Sequence, residues 1–202
     1  IVTEGSSDAK INEHAFQIYR PHVLDFFRFV DMEEGYPFSG TGNLHRFAQG
    51  LVSIGIQNNT LIVYDNDAEG VAKMKETGAL SLPPNFRVIK LPELEAFQLI
   101  NTVGPSGRST EDINGKAASI ESYLDLEAPG LPEPVVRWTS YKRELDVYQG
   151  ALEHKTQFMK KFLNLRSSST DYSSEKIEAV LDTIIAECVD IAEYKQINSL
   201  TT

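Results

Sequence analysis

Three carboxylates at alternate positions mark the segment Asp65-Asn66-Asp67-Ala68-Glu69-Gly70, directly after the apolar run Leu61-Ile62-Val63-Tyr64. The run reads as a buried strand. In parallel α/β sheets the carboxyl ends of strands are where ligands bind. Acidic side chains gathered there repel one another unless a cation neutralises them, and hard oxygen donors suit Mg²⁺ or Mn²⁺. A second acidic motif has the same placement. Ile1-Val2-Thr3 reads as the tail of a strand, and Glu4-Gly5-Ser6-Ser7-Asp8 follows it. Gly5 lets the backbone turn after Glu4. Asp8 lies one helical turn further on, on the same side as Glu4. Glu4, Asp8, Asp65 and Asp67 are therefore expected at one sheet edge, as ligands of a divalent ion.

The elements that must position them alternate. Ser7 to Tyr19 has helical spacing of apolar residues and is stopped by Pro21. Phe26 to Val30 predicts a second strand, and Asp31 to Gly42 a loop broken by Gly35, Pro37, Gly40 and Gly42. Asn43 is placed as the cap of a helix running to about Ile54. Leu61 to Tyr64 is the next strand, a helix starts at Ala68, and Arg87 to Leu91 is a fourth strand after Pro83-Pro84. Strand-helix alternation of this kind predicts an α/β domain with a mainly parallel sheet flanked by helices. Thr102 to Asn114 reads as a polar loop, Lys116 to Leu124 as a short helix and Val135 to Trp138 as a strand. From Leu145 the pattern turns helical, over Thr156 to Leu165 and Ser174 to Tyr194, with Ser167-Ser168-Ser169 as the loop between. The expected division is an α/β domain over 1–144 and a C-terminal helical extension over 145–202.

The chain of 202 residues carries a net charge of −10, which is unfavourable for a stand-alone nucleic-acid binder. Bound divalent ions would cancel part of it, and another domain or subunit is expected to supply positive surface. No run of about 18 apolar residues is present, so no membrane span is expected. No secretory signal is visible. Cys188 is the lone cysteine and His14, His22, His45 and His154 show no ligand spacing, so neither a disulfide nor a zinc site is expected. The start at Ile1 without a methionine predicts a missing upstream region.

Several residues have a rival assignment. Counted from Asp65, oxygen donors fall at a calcium loop's first, third and fifth positions, with Gly70 and Glu76 at its sixth and twelfth. A calcium loop follows a helix, however, and Leu61 to Tyr64 reads as a strand. The plain alternative is a polar turn capping a helix, and Glu69 is read as a helix-start acid. Gly40-Thr41-Gly42-Asn43 offers backbone N–H groups for a phosphate through Gly40, Gly42 and Asn43. Glycines also precede helices without any ligand.

Thr3-Glu4-Gly5-Ser6-Ser7-Asp8 followed by Tyr64-Asp65-Asn66-Asp67 resembles the TOPRIM domain of topoisomerases, primases and OLD-type nucleases. The Glu-x-x-x-Asp form resembles the OLD-type branch. Ser39-Gly40-Thr41-Gly42-Asn43 and Tyr148-Gln149-Gly150 extend the similarity to bacterial proteins joining HEPN and TOPRIM regions. The resemblance implies a Rossmann-like TOPRIM fold and a nuclease that uses Mg²⁺ or Mn²⁺ to cleave nucleic acid, DNA or RNA. It implies anti-phage defence in the bacterial cytoplasm, an upstream HEPN-like domain and an oligomer. Glu4 would move a proton as well as bind an ion. Glu121, in Ile120-Glu121-Ser122-Tyr123-Leu124, would bind a second ion, with an exposed helix glutamate as the alternative. Lys155 would stabilise charge on the phosphate, with a solvated lysine as its alternative and Lys116 as its rival. Two other classes remain: a non-catalytic regulatory or docking module, and a part of a topoisomerase or primase.

Overall fold

The computed structural model describes residues 1–31, 40–143, 145–166 and 171–199. Gly35, Pro37 and Ser39 of the expected loop, Glu144 at the expected boundary and Ser167 to Ser169 lie outside the described residues.

The helices are α1 (Ser6–Tyr19), α2 (Thr41–Ser53), α3 (Ala68–Gly78), α4 (Lys155–Leu163) and α5 (Glu175–Ser199). The strands are β1 (Thr60–Tyr64), β2 (Asn66–Asp67), β3 (Phe86–Lys90), β4 (Ile100–Gly104), β5 (Gly107–Glu111), β6 (Ala117–Ala118), β7 (Val136–Lys142) and β8 (Val147–Leu152). The fold is mixed α/β. Its parallel part is a row in which Val2 bridges both Val30 and Ile62, and β1 pairs with β3 from Thr60↔Phe86 to Tyr64↔Lys90. Val2 is tied in by its N–H to the Leu61 carbonyl and by the Val63 N–H to its own carbonyl, both at 2.9 Å. All five residues of β1 are buried, as an apolar strand covered on both faces must be.

The expectation of one mainly parallel sheet is corrected. A second sheet runs β5-β4-β7-β8, with β4-β5 and β7-β8 antiparallel and only β4-β7 parallel. The segment expected as a polar loop after Thr102 is the β4-β5 hairpin. All five residues of β5 are exposed, so no apolar alternation signals that strand. Lys116 to Leu124 holds the short strand β6 and a 3-10 turn, Ile120–Tyr123, rather than an α-helix. Phe26 to Val30 is not a strand beyond the Val30 bridge. Its first residue ends a 3-10 turn, Pro21–Phe26, while Phe27 and Phe29 pack on Phe16 with ring centroids 4.9 and 5.6 Å away.

The helical segment begins at Lys155, not Leu145. Strand β8 pairs with β7 from Val136↔Leu152 to Lys142↔Val147, so a boundary at 144 falls inside a hairpin. The last helix is also not a mere appendage. Ile177, Val180, Leu181 and Ile184 of α5 join the core that contains Ile11, Phe16, Leu61 and Val63. Arg20 clamps α5 to α1 through Glu178 at 2.8 Å and Asp182 at 2.9 Å. Cys188 packs against this core. A second core, of Val2, Leu44, Ala48, Ile62, Tyr64 and Phe86, lies under α2. Among the described residues no helix is long and apolar enough to cross a membrane.

Candidate functional site

Because Val2 and β1 run parallel as neighbours, their carboxyl ends face the same edge. Glu4 follows one and Asp65 the other. They meet directly, since Glu4 Oε1 accepts the Asp65 N–H at 3.0 Å. Glu4 Oε2 accepts the Thr41 hydroxyl at 2.7 Å, which ties α2 to the same point. Asp8 closes the first turn of α1, its Oδ2 accepting the Gly5 N–H at 3.0 Å. Asp65 Oδ1 accepts the Ile120 N–H at 3.1 Å. Asp67 caps α3 by accepting the Gly70 N–H at 2.7 Å, and its other oxygen accepts Gln149 Nε2 at 2.6 Å.

Asn66, between the two aspartates, is structural. It is fully buried, its Oδ1 accepts Lys90 Nζ at 2.8 Å and the Gly115 N–H at 2.9 Å, and its Nδ2 donates to Asn114 Oδ1 at 3.2 Å. These bonds staple the acidic turn to the neighbouring loops. Gly70 lets α3 approach the same turn. A methyl group there would overlap the Asp65 carbonyl oxygen and lie 3.0 Å from its carbon.

Glu121 is not an exposed helix residue. It is 6% exposed, accepts the Ser119 hydroxyl at 2.8 Å and pairs with Lys155 Nζ at 3.4 Å. Lys155 opens α4. Its rival Lys116 points its ammonium at the Asp112 carbonyl, 3.1 Å away. Glu76 pairs with Lys73 at 2.6 Å, and its helix follows strands β1 and β2, so the calcium-loop arrangement is not formed. Glu69 sits at the rim, paired with Lys142. The proposed phosphate cradle is corrected in part. The Gly40 N–H is spent on the Glu4 carbonyl at 2.9 Å and the Asn43 N–H on the Gly40 carbonyl at 3.0 Å. The cap of α2 is Gly40, at φ +97°, while Asn43 lies in the first turn. Gly42 lines the adjoining groove. His14 and His45 bond to the Phe162 carbonyl at 3.1 Å and the Thr77 hydroxyl at 2.8 Å.

The acids form one electrostatic cluster. Burial, then the charges of Asp8, Glu4 and Asp67, pushes the Asp65 carboxyl well above the usual range. Burial, then Glu121 and Glu4, pushes Asp8 up to about 7. Glu4 and Asp67 are raised chiefly by burial, against the hydrogen bonds they accept. Burial works against the Lys155 ammonium, but Glu121, Asp65 and Asp8 outweigh it and raise its pKa. One lysine thus faces several crowded carboxyls. Residues missed in the sequence reading are Thr41 and Gln149 as donors to the acids. Both lie in stretches that carry the family resemblance, but nothing local marks their side chains as donors to the acids.

No protein-family model matches this chain, and no curated protein or solved structure matches it.

The donor set is all oxygen and crowded with like charge, which fits a hard divalent cation. Asn12 Oδ1 and Ser122 Oγ are buried without hydrogen-bond partners, and Asn12 lines a cavity of about 10 Å³ with Asp8 and Asp65. As the side chains stand, no group of three or more His, Cys, Asp and Glu among the described residues could hold an ion. Their oxygens are turned to Thr41, Gln149 and backbone N–H groups. An ion would have to displace some of these donors.

The charge crowding has a measurable consequence. The folded pKa of Asp8, about 7, lies above its ordinary 3.8, so the folded state binds the extra proton. That contribution is fully present below about pH 4 and is lost as pH rises to about 7. The shift corresponds to an upper bound of about 4 kcal/mol. Metal-free protein should therefore melt at a lower temperature near neutral pH than in mild acid. Asp8→Asn should raise the neutral-pH Tm and flatten the profile. A profile unchanged by Asp8→Asn in calorimetry across this range would show that Asp8 is not strained.

Proposed function

We propose that this chain is a TOPRIM-type nuclease domain of the OLD branch, cleaving phosphodiester bonds of nucleic acid with Mg²⁺ or Mn²⁺. The observation that carries this reading is the meeting of Glu4 and Asp65 at adjacent parallel strand ends, with Asp8, Asp67, Glu121 and Lys155 in the same charge cluster. Glu4, Asp8, Asp65, Asp67 and Glu121 are the residues that would hold the ions. Bound ions supply water activation and stabilisation of the leaving oxygen. Glu4, whose pKa burial raises above the ordinary carboxylate value, would hold and release a proton as well as bind an ion. Lys155 keeps its positive charge and would balance the charge developing on the phosphate. Thr41 and Gln149 fix the rotamers of Glu4 and Asp67. A bacterial anti-phage role, an upstream HEPN-like partner domain and an oligomer belong to this reading through the resemblance alone.

A second reading, a non-catalytic docking module, is favoured by one observation. The oxygens of Glu4 and Asp67 already have protein donors. Cleavage of plasmid, single-stranded DNA and RNA by the complete protein in Mg²⁺ or Mn²⁺ separates the two. Activity that EDTA abolishes supports the nuclease. No cleavage of any substrate with either metal supports the module.

A further inference from the structure

Beside the acidic centre runs a groove of about 510 Å³ lined by Thr41, Glu69, Lys73, Tyr141, Lys142 and Arg143. It shares residues with the centre's supports. The Thr41 hydroxyl holds Glu4, and the Glu69 N–H is bound at 3.0 Å by the same Gln149 that holds Asp67. Three cations line it in a chain whose net charge is −10. Lys142 and Lys73 sit in ion pairs with Glu69 and Glu76 whose side chains are a third to a half exposed. Such pairs cost about 1 kcal/mol or less to exchange for another anion.

One aromatic residue, Tyr141, lines the groove together with the cations. Tyr141 and Tyr148 are cross-strand partners in β7-β8, 49% and 48% exposed, with ring centroids 5.2 Å apart. Trp138 continues the row, 6.3 Å from Tyr148. Gly150 makes room for its indole, since a Cβ there would lie 2.8 Å from a ring carbon. Half-exposed rings beside cations suit unpaired bases, whose faces are open. In a duplex those faces are covered by neighbouring bases.

We propose that this groove and the β7-β8 aromatic row are the track of a single-stranded nucleic-acid segment. Its phosphates lie on Lys142, Arg143 and Lys73, and an unstacked base lies on the Tyr141/Tyr148 pair. The track deepens the nuclease reading and rests on it for the destination of the strand, but binding is measured without turnover.

The test is a fluorescence-anisotropy titration of the Asp65→Asn protein in Mg²⁺ at low salt. The probes are a labelled oligothymidylate and a duplex of the same length. The single strand should bind about tenfold tighter or more than the duplex. Tyr148→Ala should weaken it by roughly 5- to 150-fold, the effect of losing about 1–3 kcal/mol of base stacking. Tyr148→Phe should retain affinity. If the alanine variant does not fold, Tyr148→Leu, which keeps bulk but loses the aromatic face, carries the same test. Replacing Lys142 and Arg143 with glutamine should reduce the salt slope by about 1.4, at roughly 0.7 per phosphate contact. Equal affinity for duplex, or single-strand affinity unchanged by Tyr148→Ala, overturns the track. Tyr141 and Tyr148 then serve only to pair the hairpin. Single-strand binding that depends on Tyr148, in a protein whose wild type cleaves nothing, supports the track and removes the nuclease reading instead.

Discussion

Asp65→Asn should make the metal-free protein more stable and the metal-loaded protein inactive. Asparagine can still accept the Ile120 N–H that Asp65 accepts at 3.1 Å, so the turn keeps its bond. It removes the carboxyl that burial, Asp8, Glu4 and Asp67 all strain. The Tm without metal should rise by several degrees. In the wild type, Mg²⁺ or Mn²⁺ should raise the Tm, as a ligand taken up by the folded state alone would, and in the variant that rise should shrink or vanish. Loss of groups that merely support a metal ligand costs about 10- to 100-fold in activity, so loss of the ligand itself should cost at least about 100-fold. Asp65→Ala should be equally inactive. Full cleavage by either variant would place the chemistry elsewhere and leave the docking-module reading. A lowered Tm in Asp65→Asn would show that the carboxylate is stabilising and that the site is not strained for a cation.

Gly70→Ala should be among the most damaging single substitutions in the chain. The added methyl would overlap the Asp65 carbonyl oxygen and come within 3.0 Å and 3.1 Å of its carbon and nitrogen, all backbone atoms that cannot rotate away. Either α3 backs off or the turn after β1 moves. Both moves break the bond from the Gly70 N–H to Asp67 and disturb the seat of Asp65. Overpacking of this kind costs about 3 kcal/mol or more, which at roughly 2–4 °C per kcal/mol lowers the Tm by about 10 °C. The metal response should fall with it. Gly78→Ala in the same helix is the control. Its Cβ would meet nothing within 4 Å, so it should be neutral or gain up to about 1 kcal/mol. Similar melting of the two variants would mean that α3 does not press on the Asp65 turn.

The β1 run and the two acidic motifs were legible because each is local. An apolar run of Leu61 to Tyr64 has few alternatives to a buried strand, and acids after it fall at the strand's end wherever the strand goes. Helices α1, α3, α4 and α5 carried their own periodicity. The β4-β5 hairpin was not legible, because β5 is exposed throughout and is held by backbone bonds to β4 rather than by an apolar stripe. The sequence pattern from Leu145 predicts a helical region where strand β8 stands. Its pairing with β7 is set by the partner strand, and the helical pattern beyond it lies close by. Glu121 and Lys155 had open assignments in the sequence for a related reason. Whether a glutamate on a turn faces solvent or a lysine depends on where a segment some thirty residues away, by sequence number, is packed.

By itself, the sequence determined which residue types stand at which strand end: Glu4 after one, Asp65 and Asp67 after another. It also put acids of like charge at both strand ends, where they repel one another if brought together. Only the tertiary structure decided that Val2 and β1 lie side by side and parallel, which brings Glu4 within 3.0 Å of the Asp65 N–H. It also decided that Thr41, Gln149, Glu121 and Lys155, from four other segments, close around the acids. The physical reason is the range of the forces involved. Strand and helix preferences and charge spacing act over a few residues of chain. Carboxylate pKa values and hydrogen-bond partners depend on distances through space, which the packing of the whole core sets.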